Sequence, residues 1–261
     1  MEPERIVLIL SSLFFLGGFG YSAFSLGAGK HRNPGFNFAV MAVGFVFQCI
    51  FLYLRGRARG QCPITNEFEF LIFISWAVVL LYFLVGQAYR ISLLGTFTAP
   101  LVFLLQVTAL VLPSSFEPPT MREGPADFWL ELHASLSLLA YGAFALAFVA
   151  GVMFLVQDRL LKSHHLNNLF YNLPPINSLG KALVRLLALG FVLLTAGIAS
   201  AYGMERSPEG VKLTLSYVIW AFYGILLLVY YLRGLSSGRL AQAAVGVFAV
   251  PLCSLWIMAP K

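Results

Sequence analysis

The chain has 261 residues, of which 59% are hydrophobic and only 11% charged. A soluble domain carries about 25% charged residues, so this composition excludes an ordinary water-soluble fold and points to an integral membrane protein. The net charge of +6 is not a nucleic-acid signal, because the basic residues sit in short connections between apolar runs, where they face lipid head groups, and no RNA- or DNA-binding motif is present.

A membrane-spanning helix needs about 20 mostly apolar residues, and about eight stretches meet that length: near 6–26, 36–54, 69–87, 91–112, 131–157, 183–202, 213–232 and 240–258. The predicted fold is therefore an all-α integral membrane protein, a bundle of about eight transmembrane helices forming a single polytopic domain over 1–261. The first run is longer than a signal-peptide core and its start, Met-Glu-Pro-Glu-Arg, is not basic, so it is read as the first helix. No repeat or low-complexity tract interrupts the pattern, and the connection near 113–130 is rich in proline and charge, as suits a water-exposed crossover.

Lysine and arginine divide almost evenly between the two sides. The acids do not: with the N-terminus outside, all but Asp158 fall outside, which is the orientation expected here. That topology leaves Arg55, Arg57 and Arg59 on the outer side, against the positive-inside rule. Such a cluster either argues for the opposite topology or meets an anion such as a carboxylate, with anchoring to anionic lipid as the plain alternative.

The connection that follows reads Cys62-Pro63-Ile64-Thr65-Asn66-Glu67-Phe68-Glu69 and has the chemistry of a helix start: Pro63 ends what precedes it, Thr65 or Asn66 caps, and Glu67 and Glu69 favour the positive end of the helix dipole. Glu69 is followed at helical spacing by Phe73 and Trp76, a carboxylate above an aromatic stripe that serves packing or a flat apolar ligand. Cys49, Cys62 and Cys253 are far apart and form no Cys-x-x-Cys pair, so neither zinc nor a dithiol centre is expected.

Further along, Trp129-Leu-Glu-Leu-His133 marks the join between a polar connection and a long apolar run. A neutral imidazole at the water-facing end of a helix offers a nitrogen to a metal or serves as an interfacial hydrogen-bonding group. Trp129, Ala140, Phe144 and Gly151 share its azimuth at 100° per residue, a small face that admits either a close helix or a planar cofactor. His31, His164 and His165 are read as loop residues. Glycine-rich phosphate loops, His-Glu-x-x-His and nucleophile–base sets are missing from the sequence, so no enzymatic activity is expected.

Taken together, Cys-Pro-Ile-Thr-Asn-x-x-Glu (62–69), Ser-Trp (75–76), Trp-Leu-x-x-His (129–133), Leu-Ala-Tyr (139–141), Leu-Pro-Pro (173–175), Gly-Phe-x-Leu-Leu-Thr-x-Gly-Ile (190–198) and Trp-x-x-Tyr (220–223) resemble the cytochrome c assembly family, over a core of about 60–235. That family includes the CcsA/ResC heme-handling proteins and the HemX-like proteins. The resemblance implies a multi-pass protein of the bacterial plasma (inner) membrane that binds heme and serves cytochrome c assembly, with His133 as a ligand of the heme iron. Trp129, Glu69 and Trp76 then become candidate cofactor-binding residues, and Arg55, Arg57 and Arg59 candidate partners of a propionate. In the expected topology His133 is the one outer histidine, which leaves Met204 and Tyr202 as candidates for the opposite axial position.

Two departures stand out. The heme-presenting branch has a Trp-rich outer segment before helix 7, whereas Ala201 to Lys212 contains no tryptophan; and Tyr230 stands where relatives commonly carry an inner histidine. Both place the chain nearer the HemX-like branch. The expected partners are membrane lipid, heme and other cytochrome c maturation or heme-biosynthesis proteins. Two other functions remain open at this point: a HemX-like membrane regulator of a heme-biosynthesis enzyme, acting through inner connections such as Arg159 to Arg185, and a small-molecule permease without cofactor.

Overall fold

The structure, a computed structural model, describes residues 3–27, 34–89, 94–116, 127–163, 173–204 and 210–258. All secondary structure among them is helical. In chain order the helices are α1 (Pro3–Gly27), α2 (Pro34–Arg59), α3 (Glu67–Tyr89), α4 (Leu94–Val111), α5 (Phe128–Lys162), α6 (Ile176–Ala201), α7 (Gly210–Arg233), α8 (Ser237–Val247) and α9 (Ala249–Met258), with a 3-10 turn at Pro113–Phe116.

Local chemistry sets their ends. Proline opens α1 and α2, where its missing N–H costs nothing. Gly60 closes α2 at a φ of 69°, a left-handed conformation that disfavours side chains, and its N–H returns to the Gly56 carbonyl at 2.9 Å. Asn66 caps α3 by accepting from the Glu69 N–H at 2.9 Å, and Asp127 caps α5 by accepting from the N–H groups of Trp129 and Leu130 at 3.0 and 3.3 Å.

Six of these helices, α1, α2, α3, α5, α6 and α7, are long and apolar enough to cross a membrane; α4 contributes the shorter apolar stretch Phe97–Val111. The last apolar run, expected as one span, is instead split at Phe248. Pro251 gives the reason: it has no N–H to offer the carbonyl four residues back, so the ladder breaks at Val247 and restarts with Leu252 N–H on the Phe248 carbonyl at 3.2 Å. The expectation of about eight uniform spans is thus corrected to six helices of crossing length with a shorter α4 and a broken α8–α9 pair. Multi-pass helical membrane architecture is what the chain builds.

α5 is the central helix. α6 lies along it through the most extensive helix–helix contact in the fold. Small residues permit the approach, since van der Waals packing rather than hydrophobic expulsion drives helix association in lipid. A Cβ on Gly190 of α6 would fall 2.5 Å from the Phe144 ring, one on Gly197 would fall 2.9 Å from Ser137 Oγ, and one on Gly142 of α5 would fall 2.7 Å from Ala77 of α3. Phe144 also stacks on Tyr223 of α7 with centroids 3.6 Å apart. The small face below His133 is accordingly filled by protein. Farther down α5, Gly151 receives Val245 of α8, and the Tyr141 hydroxyl meets Ser254 of α9 at 2.8 Å, so the broken pair follows α5 along its length.

The second unit is α1 to α4. It is held by polar contacts buried at mid-helix: Ser11 donates to the Gly44 carbonyl at 2.9 Å, Ser12 to Gln106 Oε1 at 2.6 Å, and Gln48 Nε2 to Ser75 at 2.8 Å. Apolar side chains, among them Leu8, Phe51, Phe68 and Ile72, fill the layer between these contacts and the helix ends.

Candidate functional site

The start of α1, the end of α2, the starts of α3 and α5 and the end of α6 come together at one end of the bundle. Three sets of hydrogen bonds tie them together: Arg55 joins Glu4 to Glu69, the Cys62 N–H reaches Glu131 of α5, and His133, two residues on from Glu131, meets the Gly197 carbonyl of α6.

α5 has 35 residues, about 52 Å at 1.5 Å per residue, against a hydrocarbon core of roughly 30 Å. Its ends therefore project beyond the hydrocarbon, and His133, the sixth residue, stands in the projecting first turns. There it meets the end of α6: His133 Nδ1 lies 2.7 Å from the Gly197 carbonyl oxygen. A carbonyl only accepts, so Nδ1 carries the proton and donates, and in the neutral ring it is then Nε2 that holds the lone pair. A metal-binding histidine is commonly oriented in this way, through a donor bond from its other nitrogen. The contact depends on residue 197 being glycine, because a side chain there would strike Ser137. Ser137, one turn below His133, has a buried hydroxyl with no hydrogen-bond partner among the described residues.

Beside the histidine, the Trp129 ring covers Gly203, where a Cβ would fall 2.5 Å from it. Met204 follows, half-buried, its N–H reaching the Ala201 carbonyl at 3.4 Å. The structure thus brings His133, Trp129 and the turn carrying Met204 to one place. Tyr202 is differently engaged, sharing a hydrogen bond of 2.5 Å with the hydroxyl of Tyr217 on α7. His31, His164 and His165 lie outside the described residues.

The arginines, expected in a connection, instead belong to the last turns of α2. Arg55 and Arg59, four residues apart, face inward and are nearly fully buried. Glu69 Oε1 accepts from Arg55 Nε at 2.8 Å and from Arg59 Nε at 2.5 Å, while Oε2 accepts from the Thr65 N–H and hydroxyl at 2.9 and 2.7 Å. Glu4 completes the group through Arg55. Two cations and two carboxylates neutralise one another here, which is how buried charge is tolerated. Arg57 points outward, over the Tyr53 ring at 5.8 Å. Trp76 belongs to the α2–α3 interface, its Nε1–H donating to Cys49 Sγ at 3.3 Å and its ring stacked near Phe45.

The loop between α2 and α3 joins the ion group to α5. The Cys62 N–H donates to Glu131 Oε1 at 3.3 Å, and its Sγ lies 3.9 Å from the Ser135 hydroxyl. Burial pushes the Cys62 thiol above its ordinary pKa; the Ser135 contact offsets this in part, while the charges of Glu131 and Glu69 add to the rise.

Sequence reasoning did not single out Glu4, Ser137 or the Gly197 carbonyl, and it read Thr65 as a helix cap, whereas Thr65 donates to Glu69. Gly197 and Thr65 had a visible signal, as members of the 190–198 and 62–69 motifs. Other motif residues serve packing: Trp220 Nε1–H donates to Thr195 Oγ1 at 2.9 Å, and Tyr223 stacks on Phe144.

A helical, multi-pass membrane protein with a histidine held at the projecting end of its central helix is the class that fold and site define. A family model described as Cytochrome C assembly protein matches residues 64–259, and the chain belongs to that family. It is 28% identical over 202 residues to Protein HemX of Brevibacillus brevis, covering 73% of this chain and 72% of that protein. Cytochrome c biogenesis protein CcsA of Prochlorococcus marinus (strain MIT 9301) is 24% identical over 291 residues, covering 98% and 91%. Protein HemX of Bacillus subtilis (strain 168) is 23% identical over 244 residues, covering 89% and 85%.

Proposed function

We propose that this chain is a non-enzymatic heme-handling protein of the bacterial plasma membrane that serves cytochrome c biogenesis, with its N-terminus and His133 on the outer side. Family membership supports the process. The observation that carries the heme reading is the 2.7 Å contact of His133 Nδ1 with the Gly197 carbonyl, because it presents Nε2 as a ligand atom. Bound heme would supply the iron centre. His133 would hold the iron through Nε2, with Gly197 fixing the imidazole plane and Trp129 giving an aromatic edge beside it.

Arg55 and Arg59 are already engaged by Glu69, so among the three arginines the exposed Arg57 is the candidate for a propionate. The purified protein is expected to show a Soret band that His133→Ala abolishes and added imidazole partly restores. Full heme retention in His133→Ala would overturn the assignment.

Likeness to two HemX proteins favours one second reading, a membrane partner of a heme-biosynthesis enzyme. Co-purification of such an enzyme from membranes, with no Soret band in the chain itself, would select it.

A further inference from the structure

At the end of the bundle opposite His133 lies a cavity of about 440 Å³. α6 supplies Asn177, Lys181 and Arg185, successive residues of an i, i+4, i+8 stripe; α7 ends there with Tyr230 and Tyr231; α8 opens there with Ser237. Among the described residues no carboxylate lines it. Its walls are two cations, two phenols and two small polar groups, which together offer donors and positive charge to an anion.

The depth of the cavity narrows the choice of anion. The apolar runs read from the sequence begin near 183 on α6, end near 232 on α7 and begin near 240 on α8. Lys181 and Ser237 therefore sit on the water side of the hydrocarbon border, and Arg185 and Tyr230 just within it. The anion abundant at that level is the phosphate of a membrane lipid, and tyrosine is enriched there because its ring is apolar and its hydroxyl polar. Guanidinium matches phosphate oxygens in pairs, and lysine adds a point charge.

An apolar track continues from the cavity mouth into the membrane. Tyr231, Leu228 and Ile225, spaced by three along α7, are all strongly exposed, and they offer acyl chains a surface that a free anion would not use. We propose that this cavity binds the phosphate head group of an anionic phospholipid, with Lys181 and Arg185 holding the phosphate, Tyr230 donating to it, and the acyl chains lying on the α7 track. The site is separate from that of His133 and does not depend on heme.

The test is native mass spectrometry of the protein released from nanodiscs of phosphatidylcholine with added phosphatidylglycerol. The wild-type protein is expected to retain phosphatidylglycerol above its share of the bilayer. The double variant K181Q/R185Q should retain about tenfold less or lower still, since a basic residue near an anionic surface contributes appreciably to attraction. R159Q, which removes an exposed charge at the same end of α5 without touching the cavity, should retain it as the wild type does. If the double variant fails to insert, Tyr230→Phe keeps the ring, removes one donor and should lower retention partially. Equal retention in K181Q/R185Q or Tyr230→Phe, or equal loss in R159Q, would overturn the proposal. Displacement of the lipid by inorganic phosphate alone would assign the cavity to free phosphate and overturn the lipid assignment.

Discussion

Arg55 Nε and Glu69 Oε1 meet at 2.8 Å with side chains only 2% and 0% exposed, so neither charge has water to fall back on. Removing one member of a buried pair costs more than the pair contributes, because the other charge is stranded. Glu69→Ala strands Arg59, whose described carboxylate partner is Glu69, and leaves Arg55 with Glu4 as its described carboxylate, and should destabilise the protein by about 3–5 kcal/mol. Glu69→Gln should act in the same direction, and Arg57→Gln should change little, since Arg57 is exposed and belongs to no described ion pair. Thermal unfolding in one detergent checks the order; equal sensitivity at 57 and 69 would contradict the pairing.

A methyl group added at Gly197 meets Ser137 Oγ at 2.9 Å, so α6 must retreat from α5 where its carbonyl holds His133. Gly197→Ala should weaken heme retention and alter the Soret maximum more than it lowers the unfolding temperature. Gly190→Ala, which drives a methyl into the Phe144 ring, should do the reverse and cost about 1–3 kcal/mol as overpacking. Matching effects from both would mean that the Gly197 contact is packing alone.

The Cys62 thiol, pushed up by burial, should react with maleimide more slowly than an exposed thiol at neutral pH and gain rate as pH rises above its ordinary range. Glu131→Gln removes a charge that raises the pKa, so labelling should quicken. Ser135→Ala removes a contact that lowers it, so labelling should slow. With Cys49 and Cys253 replaced, an impermeant reagent applied to intact cells also tests the outward orientation, which protection until permeabilisation would reverse.

Met204 follows the glycine under the Trp129 ring, and methionine is an established axial partner of histidine. The isolated protein is expected to hold one heme, five-coordinate or weakly six-coordinate, and Met204→Ala should leave the Soret band while removing any sixth-ligand signature. A bis-histidine spectrum in the isolated protein would exclude this arrangement.

The membrane class, the helices and several of their ends were legible in the sequence because each depends on neighbours within a turn or two. The length of an apolar run and the Asn66 cap, both read from the sequence, act locally, as do the Asp127 cap and the prolines at 3, 34 and 251, which were not read. Even the break at Phe248 had its signal in Pro251, three residues on. The apolar window ended α2 too early, since a hydropathy rule stops at the first charge and does not know that Glu69 and Glu4 wait to neutralise Arg55 and Arg59. His133 was visible as a candidate from its place at a polar–apolar join, but its hydrogen-bond partner lies 64 positions away. Which carbonyl reaches an imidazole depends on how closely two helices approach, and that is set by the fit of Gly190 and Gly197 against Phe144 and Ser137. Such a fit belongs to pairs of surfaces, so only the tertiary structure decided the tautomer of His133 and the ions around Glu69.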